Sequence, residues 1–152
     1  MESLDIRVLK RMRSWRQNNE ACLWVTILQT WGSSPRPIGS MMAINQDGEV
    51  VGSVSGGCIE DDLIRDREQY IKQAAAQNGP LLLKYGIKAD EAHRFGLPCG
   101  GVIELLVEHN PSVALLDELL AAITAGQTIV KECNLSTGQL RLYASGGEGS
   151  LE

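Results

Sequence analysis

Apolar residues recur along this chain in two rhythms, one helical and one of strands. Leu4, Val8, Leu9, Met12 and Trp15 fall on one side at helical spacing, and Lys10, Arg11, Arg13 and Arg16 lie elsewhere on the surface. Ser3 is placed to cap this helix, Asp5 suits its positive end, and Asn18-Asn19 ends it. Residues 21–31 are dense in Val, Ile, Leu, Trp and Thr and read as a buried strand. Residues 41–44 resume an apolar strand, Asn45-Gln46-Asp47-Gly48 carries an Asp-Gly hairpin signal, and 49–53 form the return strand.

Ile59, Leu63, Ile64, Tyr70, Ile71 and Ala74 make one stripe of a helix over 59–77, stopped by Asn78-Gly79-Pro80. Residues 81–85 are a short strand, 86–95 a polar loop or single helical turn, and 101–108 a strand apolar enough to be central. Asn110-Pro111 starts a helix with proline at its first position, Val113, Leu116, Leu119, Leu120 and Ile123 form its apolar face, and Gly126 stops it. Residues 128–133 and 139–143 pair around Ser136-Thr137-Gly138. The pattern predicts an α/β (mixed α+β) single domain over 1–145, a mixed β-sheet with packed helices, whose strand order is not readable. Residues 146–152 are glycine-rich and read as a flexible tail, either a linker to more chain or, at Leu151-Glu152, a vector scar.

Composition narrows the function classes. With 43% hydrophobic and 22% charged residues over 152 positions, the chain has the balance of a globular domain with a real core. A net charge of −5 argues against a nucleic-acid footprint and against a polybasic membrane surface. No apolar run approaches a membrane span, and the amino terminus lacks a basic region followed by an apolar block, so the cytoplasm is the expected compartment. Cys22, Cys58, Cys99 and Cys133 are widely spaced without a C-x-x-C, and they read as thiols rather than a zinc ribbon or disulfides.

Three glycine-bearing segments at predicted strand ends carry the chemistry. In Gly52-Ser53-Val54-Ser55-Gly56-Gly57-Cys58-Ile59-Glu60 a strand turns into a helix, and Cys58 falls in the first helical turn. Free N–H groups and the helix dipole there favour a thiolate and welcome phosphate. Ser33, Ser34 and Arg36 lie in Gly32-Ser33-Ser34-Pro35-Arg36-Pro37-Ile38-Gly39, where two prolines stiffen the loop and would hold Arg36 on a rim, suited to an anion. Gly96-Leu97-Pro98-Cys99-Gly100-Gly101 brings a second cysteine beside paired glycines. Cys58 and Cys99 are candidate soft-metal ligands or sulfur handlers. The plain alternative is that the loops are ordinary turns and the cysteines small buried residues. Cys22 and Cys133, inside predicted strands, are read that way. So is His93, solvated among Asp90, Glu91 and Arg94. The acidic run Glu60-Asp61-Asp62 is explained by helix-end electrostatics. Neither G-x-x-x-x-G-K-[ST] nor G-x-G-x-x-G is present, and no catalytic residue is assigned.

These three segments, in this order, resemble the amino-terminal domain of the XdhC/CoxI family over roughly residues 1–110. Members are accessory proteins of molybdenum hydroxylases such as xanthine dehydrogenase, aldehyde oxidoreductase and carbon monoxide dehydrogenase. The resemblance implies a chaperone, rather than an enzyme with its own turnover. It binds molybdenum cofactor (molybdopterin) as cargo, protects it during sulfuration and delivers it to the apo-enzyme. Carried over residue by residue, it places Arg36, Gly56, Gly57, Cys58, Cys99 and Gly100 at the cofactor, with Ser33, Ser34 and Gly101 in the same loops. Many members continue into a Rossmann-type domain that this length leaves no room for. Two other readings stand beside it. One is a sulfur-transfer protein carrying a persulfide on Cys58, fed by a cysteine desulfurase. The other is an interaction module without cofactor affinity. A homodimer completing a partly open pocket is compatible with all three.

Overall fold

The computed structural model describes residues 3–31, 36–55, 58–86 and 102–144, with the backbone alone at Cys58. In order these are α1 (Leu4–Gln17), β1 (Cys22–Trp31), β2 (Met41–Asn45), β3 (Val50–Gly52), α2 (Cys58–Arg65), α3 (Arg67–Gln77), β4 (Leu81–Tyr85), β5 (Val102–His109), α4 (Val113–Thr124), β6 (Ile129–Cys133) and β7 (Leu140–Ala144). Five strands form one sheet in the order β3-β2-β1-β5-β4, and β6-β7 form a separate hairpin. Every pairing is antiparallel. The strand over 21–31 is the centre of the sheet, bonded to β2 on one side and β5 on the other.

Both faces of that centre are covered, which is why β1 and β5 read as continuous apolar runs rather than alternating ones. On one face Leu23, Val25, Ile27, Met42, Ile44, Ile103, Leu105 and Val107 pack with Ile59, Leu63 and Ala74 from α2 and α3. On the other, Cys22, Trp24 and Ala43 meet Val8, Leu9, Met12 and Trp15 of α1 and Leu116, Leu119 and Leu120 of α4. The predicted stripe of α1 is thus its buried stripe, and the Ser3 hydroxyl accepts from the Ile6 N–H at 3.3 Å as its cap.

Two boundaries differ from the sequence pattern. The helix over 59–77 is divided at Asp66 into α2 and α3. The Ile64 carbonyl is taken by Arg67 Nη1 at 2.6 Å, while Arg67 Nε donates to the Gln46 carbonyl at 2.9 Å. One guanidinium therefore links the helix bend to the β2–β3 turn. In α4 the cap is Ser112, whose hydroxyl accepts from the Leu115 N–H at 3.1 Å, so Pro111 precedes the helix instead of opening it. Asn78, with φ +53°, ends α3 in the left-handed conformation, and Gly126, φ +77°, follows α4. No helix among the described residues is long and apolar enough to cross a membrane.

Candidate functional site

Antiparallel topology sends the three glycine segments out of the same end of the sheet. Trp31, the last residue of β1, pairs with Val102, the first of β5; Tyr85, the last of β4, pairs with Ile103; and Gly52, the last of β3, pairs with Met42. The chain between β1 and β2, the turn from β3 into α2, and the connection from β4 to β5 all leave there. The strands do not end level. Met41 faces Thr26, so β1 runs five residues past the start of β2, up to Trp31. At about 3.3 Å per residue that tip projects on the order of 15 Å. The Ile27 N–H donates to the Ser40 carbonyl at 2.9 Å, and the Ile27 carbonyl receives the Gly39 N–H at 2.8 Å, which folds 37–40 back along β1.

Of the expected site residues, Arg36 is described, and it is half-buried rather than standing clear on a rim. Cys58 occupies the first position of α2, as its place in the motif predicts. Ser33, Ser34, Gly56, Gly57, Cys99, Gly100 and Gly101 lie outside the described residues, as does the polar stretch with His93. Among the described residues no group of three or more His, Cys, Asp or Glu could hold a metal ion.

The feature that residue patterns missed is Glu60. Its side chain does not face solvent beside the helix end; the residue is 8% exposed. Oε2 accepts the Ser53 hydroxyl at 2.6 Å and the N–H groups of Val54 and Ser55, each at 3.0 Å. Oε1 accepts the Ser55 hydroxyl. This resembles a capping box, in which a carboxylate in the first turn reaches back to N–H groups before the helix. Here the reach extends past the cap position into the segment between β3 and the paired glycines. The available signal was two serines, at 53 and 55, upstream of a glutamate at the third helical position.

The remaining cysteines sit away from this end. Cys22 is fully buried at the opposite end of β1, where it pairs with Asn45. Burial pushes its thiol from the ordinary 9.0 up to about 12, against a smaller lowering by Arg16. Burial also raises the half-buried Cys133. Both are the inert strand residues that the sequence suggested. Tyr85, the last residue of β4, has its phenol pushed up by burial first and by Tyr70 beside it second.

Several known proteins resemble this chain in sequence and in fold. Residues 15–86 match the model of the XdhC and CoxI family, a stretch that contains Arg36 and the Gly56-Gly57-Cys58 turn but ends before Cys99. A protein named molybdenum cofactor insertion chaperone PaoD, from Escherichia coli, is 30% identical over 115 residues, which is 67% of this chain and 32% of that one. A Bacillus subtilis protein, named as a probable subunit of xanthine dehydrogenase, is 29% identical over 94 residues, 60% of this chain and 27% of that one. The chain thus spans about a third of the length of the curated relatives it matches. A crystal structure described as a xanthine dehydrogenase from Bacillus halodurans superposes with a TM-score of 0.69 at 26% identity, covering 92% of this chain and 42% of that one. The matched segment runs from the end of α1 through β4, and over that stretch the chain is similar to the XdhC and CoxI family.

Proposed function

We propose that the chain binds molybdenum cofactor as cargo and assists its protection, sulfuration and insertion into an apo molybdenum hydroxylase of the xanthine dehydrogenase or aldehyde oxidoreductase type. The observation that carries this reading is the common exit of three glycine segments from one end of the sheet, with Cys58 opening α2 there. The name borne by the Escherichia coli relative, a molybdenum cofactor insertion chaperone, supports it. The donor set suits the cargo. Glycine N–H groups of Gly56, Gly57, Gly100 and Gly101, the hydroxyls of Ser33 and Ser34, and the Arg36 guanidinium are ligands for a phosphorylated pterin. Thiolates from Cys58 and Cys99 are soft partners for molybdenum or for a sulfur in transit. The proposed partners are the apo-hydroxylase and a cysteine desulfurase, met in the cytoplasm, with a second copy of the chain closing the pocket.

The test is binding of molybdopterin-type cofactor to the 152-residue chain, followed by transfer to apo-hydroxylase. Cys58→Ala and Cys99→Ala each weaken binding or transfer by about tenfold or more, the loss of one soft ligand. Undiminished binding and transfer in the double variant removes the thiols from the mechanism. Mass spectrometry after incubation with a cysteine desulfurase decides the sulfur step: an added sulfur on Cys58 supports it, and an unmodified thiol excludes it.

A further inference from the structure

We propose that Glu60 is a positioning residue for the Cys58 turn, an inference that rests on the cofactor-binding reading above. The two paired glycines are bracketed by described residues on both sides. Ser55 precedes them and is held to the Glu60 carboxylate by its N–H and its hydroxyl. Cys58 follows them, two positions before Glu60 in the same helix. One side chain therefore sets where the chain enters Gly56 and where it leaves at Cys58. Among the described residues four donors converge on this carboxylate, two backbone N–H groups and two hydroxyls. Val54, Ser55 and Glu60 are 0%, 6% and 8% exposed. A glutamate serving only the helix dipole needs no burial and no such set of partners. The arrangement also divides the backbone donors. The N–H groups of Val54 and Ser55 are occupied by the carboxylate and so are not available to an anionic ligand at this turn.

The test compares Glu60→Ala and Glu60→Gln in the 152-residue chain by three readouts. These are amide exchange at Val54 and Ser55, the iodoacetamide rate at Cys58 followed by peptide mass, and molybdopterin affinity. In Glu60→Ala the two amides exchange about tenfold faster or more, the Cys58 rate shifts about threefold or more and affinity falls about tenfold or more, while β1 and β5 keep their protection. Glu60→Gln, whose amide oxygen still accepts both N–H groups, restores most of each. A folded Glu60→Ala chain with unchanged Cys58 reactivity and unchanged affinity overturns the proposal. A wild-type chain without molybdopterin affinity removes the function instead, and the Cys58 rate then decides the positioning role alone. Should Glu60→Ala not fold, Ser53→Ala/Ser55→Ala removes both hydroxyl donors and is read by the same criteria.

Discussion

The Lys131 ammonium lies 4.2 Å from the centroid of the Trp24 ring. The same Nζ donates to Glu108 Oε1 at 2.5 Å, with the two side chains 16% and 11% exposed. Trp24 in turn donates from Nε1 to Met41 Sδ at 3.2 Å. This row of contacts ties the β6–β7 hairpin to the centre of the main sheet. Lys131→Met strands the Glu108 carboxylate in a nearly dry site and is expected to destabilise the fold by about 3 kcal/mol. Urea unfolding measures it. Adding Glu108→Gln to that variant returns part of the loss, because the stranded charge is then gone.

Gly52 occupies a position no side chain tolerates. Its φ is +83°, and a Cβ there would sit 2.4 Å from the Met41 carbonyl oxygen and 2.8 Å from Val8 Cγ2. Gly52→Ala is expected to cost about 3 kcal/mol or more, through backbone strain and the clash together. Gly126, with φ +77° and nothing within 4 Å of its would-be Cβ, is the control. Gly126→Ala carries strain alone, about 1 kcal/mol. Thermal or urea unfolding of the two variants separates the contributions.

The buried Cys22 makes stability depend on alkaline pH. Its folded thiol titrates at about 12 rather than 9.0, so between those values the folded state holds a proton that the unfolded state has released. Stability from this group is fully present below the unfolded value of 9.0 and is lost as pH rises toward about 12. The slope approaches about 1.4 kcal/mol per pH unit. Unfolding free energies of wild type and Cys22→Ala, taken from about one unit below the unfolded value upward, are expected to differ in slope in that window. Parallel curves contradict the burial effect.

Capping predicts a contrast between two helices. Ser112 caps α4 with a side-chain hydrogen bond, whereas Asp66 precedes α3 without one. Ser112→Ala is expected to cost about 1 kcal/mol and Asp66→Ala clearly less, since the Asp66–Arg65 pair is solvated. Denaturant midpoints of the two variants rank them.

Local signals carried most of the element boundaries. The cap at Ser3, the stop at Asn78 and the glycine after α4 all act within a turn of the residues they govern, so they are readable in a linear string. The bend at Asp66 is not, because it depends on Arg67 reaching the Gln46 carbonyl across the β2–β3 turn. Nor is the strand order, since β1 and β5 pair between residues far apart in sequence: Leu23 with His109, Trp31 with Val102. At the candidate site, type and spacing of residues pointed to the Gly56-Gly57-Cys58 turn, and the matched family segment includes it. They did not reveal Glu60 as its brace. A carboxylate in a first helical turn is so common a response to the dipole that its inward rotation leaves no trace in composition.

Ser53, Val54 and Ser55, which supply four donors to Glu60, lie five to seven positions upstream of it. Closing so short a loop costs little entropy, far less than bringing β1 and β5 together. The knot at the head of α2 can therefore retie on its own after local opening, on the sub-microsecond scale of short-loop closure, while the sheet behind it stays intact. A turn that recovers faster than the sheet can open returns to one shape each time, however often it is disturbed.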